Sequence, residues 1–304
     1  MSTTPQQHRR AILTMVGATF LWSIAGVFTR HLDSAKSFEV TFWRSFFCAL
    51  TLIVWFVYAR GMRGTVAYVR ASGKGGAISG LMWAVMFTCF MIALTLTTTA
   101  NTLIVNSLSP LFATILAWAV LKSPIAMRTW LAIGAALVGM IIMFANQAQG
   151  GQGALLGMLI AFGVPVASGI NIVTLKKTGA HVDLAPAVLI GGLISCAVTL
   201  PLSLPFAASG KDVFLLAILG IFQLGIPCVM MVRASAHLSA PEVALLGLLE
   251  VLMGPLWSWL GAGEVPAGST LVGGAIVLAA LVANELVPRS TPSGQAKVKT
   301  GGLA

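Results

Sequence analysis

Hydrophobic residues come in ten long runs along this chain, at roughly 11–29, 39–58, 76–96, 100–121, 127–145, 154–174, 185–206, 213–233, 240–261 and 268–287, and most charged residues collect in the short gaps between them. A helix rises about 1.5 Å per residue, so about 20 apolar residues cross a hydrocarbon core of about 30 Å. The runs therefore predict ten transmembrane helices. Membrane strands would alternate in polarity over about ten residues, and these runs are continuous. Ser239-Ala240-Pro241-Glu242 reads as a capping box with proline in the first turn, and Asp183 followed by Pro186 as another helix start. Gly150-Gly151 breaks the chain between the fifth and sixth runs. The first run is too long for a signal peptide and lacks a small-x-small cleavage site before polar sequence.

Composition agrees with a lipid-facing surface. Of 304 residues, 58% are hydrophobic and 9% charged, against about 25% charged in soluble domains. The net charge of +10 matters through its distribution. If the N-terminus is cytoplasmic, the cytoplasmic segments hold 14 of the 18 Lys and Arg residues and the external loops hold Arg30, Lys36 and Lys211, with Arg44 inside a span. That asymmetry places both termini in the cytoplasm. Attraction to anionic lipid accounts for the positive charge, and no basic stripe interleaved with aromatics suggests nucleic acid. Cys48, Cys89, Cys196 and Cys228 all fall in spans, without CxxC spacing or a nearby histidine, and are expected to be free thiols with no metal. No phosphate-binding loop, HExxH or GxSxG motif occurs, so neither a cofactor nor enzymatic chemistry is expected.

The chain also repeats itself. Leu108 and Leu249, and likewise Trp118 and Trp259, are 141 positions apart. Leu131 and Leu271, and Gly134 and Gly274, are 140 apart, as though the intervening loop were one residue shorter in the second half. Gly17-x4-Trp22 echoes Gly157-x4-Phe162. Five is an odd number of crossings, so the second half enters the membrane from the opposite side. Two similar halves of opposite orientation form an inverted repeat, which places a binding site near the midplane and exposes it to each side by rocking. The expected organisation is a tail at 1–10, repeats at 11–145 and 154–287, and a disordered tail at 288–304.

Leu21-Trp22-Ser23, Phe42-Trp43-Arg44, Ser109-Pro110-Leu111, Leu249-Glu250-Val251 and Gly263-Glu264 carry a resemblance to the drug/metabolite transporter superfamily, in its branch with two five-helix EamA-type repeats. The resemblance spans roughly residues 11–287. It departs from the family pattern at Val251, where proline is usual, and at Lys122-Ser123, where Gly-Glu is common in the first repeat. It implies an all-α integral membrane transporter with ten helices, similar to bacterial exporters of aromatic and other amino acids.

An ionisable group at mid-membrane costs roughly 2.5–3.5 kcal/mol, so each one calls for a reason. Six of the eight acids fall in loops or first turns, Glu285 lies near a span end, and Glu250 alone sits deep. Glu250 reads either as the partner of a proton or substrate ammonium, or as a structural carboxylate. Arg44 reads as a grip for a substrate carboxylate, or as a group that snorkels outward. Asn101, Asn106 and Ser109 gather before and beside Pro110, and Ser168 and Asn171 follow Pro165. Each cluster lines a cavity or joins helices. Gln223 with Pro227 is a weaker version, and Pro255 is a further expected kink. Trp22, Trp83 and Phe87 are candidates to stack on substrate, with plain packing as the alternative. Trp118, Trp257 and Trp259 lie nearer span ends, where interfacial anchoring is usual. Gly134, Gly139, Gly273 and Gly274 read as close-packing positions.

The expectation is a secondary transporter, working as a monomer in a bacterial inner membrane, that exports neutral amino acids such as Phe, Met or Thr by alternating access. The alternatives are an exporter of hydrophobic cations and a non-transporting membrane scaffold. A phosphorylated substrate would want more cavity Lys or Arg than Arg44 alone.

Overall fold

The computed structural model describes residues 5–122, 125–147, 152–178, 185–235, 237–238 and 240–286. The capping residues Asp183 and Ser239, the Gly150-Gly151 break and the tail at 288–304 lie outside them. All regular structure among the described residues is helical.

Each expected span appears, several in two pieces. Span 1 is α1 (Pro5–Ser23) and α2 (Ala25–Arg30); span 2 is α3 (Ser37–Ala71); span 3 is α4 (Gly73–Leu96). Span 4 is α5 (Thr99–Asn106) and α6 (Ser109–Leu121), and span 5 is α7 (Met127–Gln147). In the second half, span 6 is α8 (Gln152–Ala161) and α9 (Gly163–Thr178), and span 7 is α10 (Ala185–Ser203). Span 8 runs from α11 (Gly210–Ile218) through a π-helical turn (Leu219–Gly225) into α12 (Ile226–Ser235). Span 9 is α13 (Ala240–Ala262) and span 10 is α14 (Gly268–Leu286). Eight helices are long and apolar enough to cross a bilayer, and the shorter apolar helices Met127–Met143 and Gly268–Asn284 complete ten. Helix α1 starts at Pro5, inside the stretch expected as a tail.

The helix breaks follow local chemistry. Pro110 is the second residue of α6, Pro165 the third of α9 and Pro227 the second of α12. In a first turn, proline lacks an N–H that would be unpaired anyway. Pro110 and Pro165 therefore start segments after a break, whereas Pro227 lies where the π-helical turn of span 8 passes directly into α12. Pro255, expected as a kink, sits inside the unbroken α13. Span 1 breaks at Ile24 without proline, and span 6 breaks at Phe162, close to the equivalent place in the repeat. Helix α3 outruns its expected end at residue 58. Gly61 (φ 70°) turns it, and the chain continues helically to Ala71. The Phe56 and Tyr68 rings pack at 5.5 Å, and Arg60 lies 3.8 Å from the Tyr68 centroid, holding this extension beside the span.

The repeat is visible in backbone conformation. Lys122 ends α6 in the left-handed region (φ 55°), and Gly263, 141 positions later, does the same after α13 (φ 67°). A lysine there carries a strain of about 1 kcal/mol that glycine escapes. Trp118 and Trp259, one turn earlier in each half, are 46% and 53% exposed, as lipid-facing anchors would be.

Spans 5 and 10 pack along their length. A Cβ at Gly139 would stand 2.6 Å from the Gly273 carbonyl oxygen, so close approach demands glycine there. Gly274 lies against Ile104, whereas Gly134 has open space and does no such work. Gly273→Leu is expected to separate spans 5 and 10 and to cost about 1–3 kcal/mol. A lowered unfolding temperature in detergent checks this, with Gly134→Leu as the near-neutral comparison.

Connections after odd-numbered spans share one membrane face, here the acidic face because Asp33, Glu39, Asp212 and Glu264 lie there. The N-terminus and the connections after even-numbered spans share the opposite, basic face.

Candidate functional site

Glu39, Thr41 and Arg44 are all buried within the first two turns of span 2. The Arg44 side chain is only 2% exposed. The guanidinium Nε donates to Gln223 Oε1 at 2.9 Å. Gln223, itself 1% exposed, donates through Nε2 to the Trp22 carbonyl at 3.2 Å, beside the break in span 1. Gln223 belongs to the π-helical turn, where an altered hydrogen-bond register presents a side chain that a regular helix would place elsewhere. Gly220 permits the approach, since a Cβ there would stand 2.6 Å from the Arg44 carbonyl. Phe87 and Phe90 flank the guanidinium at 5.9 and 5.7 Å. This arrangement couples Arg44 in the first half to Gln223 in the second.

Arg44 is not fully satisfied. Its Nη1 is buried without a hydrogen-bond partner. Glu250, half-buried on α13, lies within electrostatic reach of Arg44 and Cys228. Among the described residues it makes no ion pair with Arg44, although two other ion pairs form on the acidic face. A guanidinium from the first half and a carboxyl group from the second thus lie within electrostatic reach without forming an ion pair. Trp22, Trp83 and Phe87 belong with Cys48 and Cys228 to the apolar cluster beside them, and the Trp83 and Phe87 rings pack at 5.4 Å. All four cysteines are free, and among the described residues no group of three His, Cys, Asp or Glu is placed to hold a metal.

In span 4, Asn101 joins helices and Ser109 bonds within its own span. Asn101 is buried, donates to Thr97 Oγ1 and accepts from Thr270 Oγ1 at 2.8 Å, tying span 4 to span 10. Ser109 donates to the Asn106 carbonyl at 2.7 Å, which satisfies the acceptor exposed before Pro110. On span 6, Ser168 is half-buried and Asn171 buried, with Asn171 Oδ1 unpaired. No described contact joins these residues to Arg44 or Glu250. Asn101→Ala is expected to lower stability by about 1 kcal/mol while leaving substrate selectivity unchanged, as a thermal melt and a competition assay would read out.

A second arrangement had little signal in the sequence. On the acidic face, three carboxylates tie one half to the other. Glu39, in the first half, accepts from the amides of Ala207 and Ala208 in the second, both at 2.9 Å. Asp212, in the second half, accepts from the amides of Asp33, Ser34 and Ala35 in the first at 2.8–3.1 Å. Glu264 pairs with Arg30 at 2.7 Å and accepts from the backbone and hydroxyl of Thr99. Arg30 in turn donates to the carbonyls of Leu94 and Thr97. Carboxylates facing several N–H donors make strong, charge-assisted bonds. On the basic face the halves are joined as well, by Thr129 to Asn284 Oδ1 at 2.8 Å, His8 to the His237 carbonyl at 3.4 Å, and Arg233 lying 4.9 Å from the Trp55 ring centroid.

Ten helices, two broken in matching places, with paired carboxylates at one end and a charge couple between halves, match a membrane transporter built by duplication. The profile of the EamA-like transporter family matches the chain twice, at residues 9–145 and 155–284, and the chain belongs to that family. Among curated relatives, human solute carrier family 35 member G1 is 23% identical, over 91% of this chain and 80% of the relative. The S-adenosylmethionine uptake transporter of Rickettsia prowazekii is also 23% identical, over 85% of this chain and 86% of the relative. The pseudopaline exporter CntI of Pseudomonas aeruginosa is 23% identical, over 90% and 95%. A solved crystal structure superposes with a TM-score of 0.63 at 18% identity, covering 93% of this chain and all of the other, which supports the shared fold. The protein is therefore a multi-pass membrane protein of a transporter family.

Proposed function

We propose that this chain is a secondary carrier of small zwitterionic metabolites, neutral amino acids such as Phe, Met and Thr foremost, moving them outward by alternating access. The observation that carries the reading is the unjoined charge couple. Arg44 holds a buried, unpaired N–H donor toward an acceptor that the resting protein does not supply. Glu250 offers the opposite charge nearby, on the other half of the chain. A zwitterion answers both: its carboxylate takes the guanidinium, and its ammonium takes Glu250. An isolated anion would leave Glu250 facing like charge, and a cation would leave Arg44 doing so. Trp22, Trp83 and Phe87 supply an apolar wall for the substrate side chain.

The relatives fit this reading. S-adenosylmethionine, named for the Rickettsia protein, has the α-amino-acid end of methionine, and the Pseudomonas protein supplies a precedent for export. Glu250 is the sole acid deep in a span, so coupling through one proton, or facilitated transport, suits the site better than a multi-ion cycle. The 14-to-3 distribution of basic residues supports a cytoplasmic basic face with both termini on that side, and the bacterial relatives support an inner-membrane location. The repeats at 11–145 and 154–287 act as the two moving bodies of a monomer, with no enzymatic step.

Uptake of labelled Thr, Met, Phe and choline into proteoliposomes tests the substrate class, with Glu250→Gln and Asn106→Ala beside the wild type. Movement of one or more amino acids above protein-free vesicles, absent in Glu250→Gln, is expected. Failure of all three amino acids removes the reading. Transport of choline alone, stopped by Glu250→Gln, establishes the hydrophobic-cation alternative.

A further inference from the structure

Between spans 3, 4 and 6, at the basic face, lies a groove of about 440 Å³. Lys74 from the start of α4 and Lys177 from the end of α9 stand at its mouth. Ile78, Leu116, Val120 and Ile170 line the part that runs toward the membrane interior. Of these, Ile78, Val120 and Ile170 are exposed, so the groove opens sideways to lipid. Among the described residues no acidic one lines it. Its chemistry is graded along one direction, with two cations and the N-terminal turn of a 24-residue helix at the interface and hydrocarbon below.

We propose that this groove binds one anionic phospholipid, its phosphate between Lys74 and Lys177 and an acyl chain over Ile78, Leu116 and Ile170. Three features select that occupant. The mouth complements negative charge, and basic pockets between transmembrane helices on a positive face suit lipid head groups. The exposed apolar floor suits a chain and offers a free inorganic ion nothing. The groove also lies at the depth where a lipid of the basic-side leaflet already sits. Lys74 belongs to the first half and Lys177 to the second, so one phosphate bridges the two bodies at the basic face. The lipid thereby acts opposite the carboxylate ties of the acidic face, and lipid composition biases which face is closed. The binding site itself does not depend on the identity of the transported substrate.

Native mass spectrometry of the purified full chain, titrated with phosphatidylglycerol or phosphatidylcholine, tests the proposal. The wild type is expected to retain one phosphatidylglycerol in preference to phosphatidylcholine. Lys74→Gln/Lys177→Gln is expected to weaken that retention about thirtyfold, while Lys211→Gln on the acidic face leaves it unchanged. Ile170→Trp, which fills the groove and keeps both lysines, is expected to reduce retention as well. Equal retention of the two lipids, full retention by the double variant, or displacement of the lipid by millimolar inorganic phosphate would overturn it.

Discussion

Arg44→Lys is expected to lower amino-acid transport by about one to two orders of magnitude, chiefly as a higher KM, while the protein remains folded. Lysine keeps the charge but presents a compact ammonium in place of a planar fork, so a carboxylate loses its two-pronged partner. Losing charge-assisted bonds of this kind removes about 1.5–3 kcal/mol, or roughly ten- to hundredfold in affinity. The Nε bond to Gln223 is lost too, so Gln223→Leu serves as the comparison. It leaves the guanidinium in place and is expected to reduce transport less than Arg44→Lys does. Proteoliposome uptake with a thermal melt separates these outcomes. An unchanged KM in a folded Arg44→Lys protein would remove Arg44 from the substrate.

Glu264→Ala is expected to unlatch the acidic face. Its carboxylate joins the span 9–10 connection to Arg30 and to the first residue of α5. Without it, Arg30 loses its counter-ion and Thr99 an acceptor for its amide. Breaking a partly exposed pair of this kind is expected to cost about 2 kcal/mol, below the range for fully buried pairs. Cys48, buried beside Arg44, reports the result without an introduced probe. In a protein retaining Cys48 as its sole thiol, an impermeant maleimide applied to the acidic face is expected to react at least about tenfold faster once Glu264 is alanine. Continued protection would show that Glu39 and Asp212 seal that face unaided.

The ten spans, the repeat and the unusual residues Arg44 and Glu250 were legible in the sequence because lipid makes their signals strong. Long apolar runs cross the membrane, and an ion inside one stands out. Gln223 showed only as a polar residue near proline, since hydropathy carries no mark of the π-helical turn that aims it at Arg44. Asn101 reads as the stronger candidate of the two. Its difference lies in Thr270, 169 positions away, which takes its carbonyl. Glu39, Asp212 and Glu264 read as loop or first-turn residues, as the structure has them, but Glu39 and Asp212 bond to backbone amides of the opposite half, which have no residue identity to read, and Glu264 meets Arg30 234 positions away. Lys122 is the reverse case. The departure from Gly-Glu was plain in the sequence, while its left-handed backbone was hidden because lysine rarely adopts it.

The central claim is that Arg44 and Glu250 together select a molecule carrying both charges. Counterflow of labelled phenylalanine in proteoliposomes, challenged with analogues lacking one charge, addresses it most directly. Unlabelled phenylalanine is expected to compete fully, whereas its methyl ester and 3-phenylpropionate, without carboxylate and ammonium charge respectively, should compete at least about tenfold more weakly. Competition by either analogue as strong as that of phenylalanine would contradict the account.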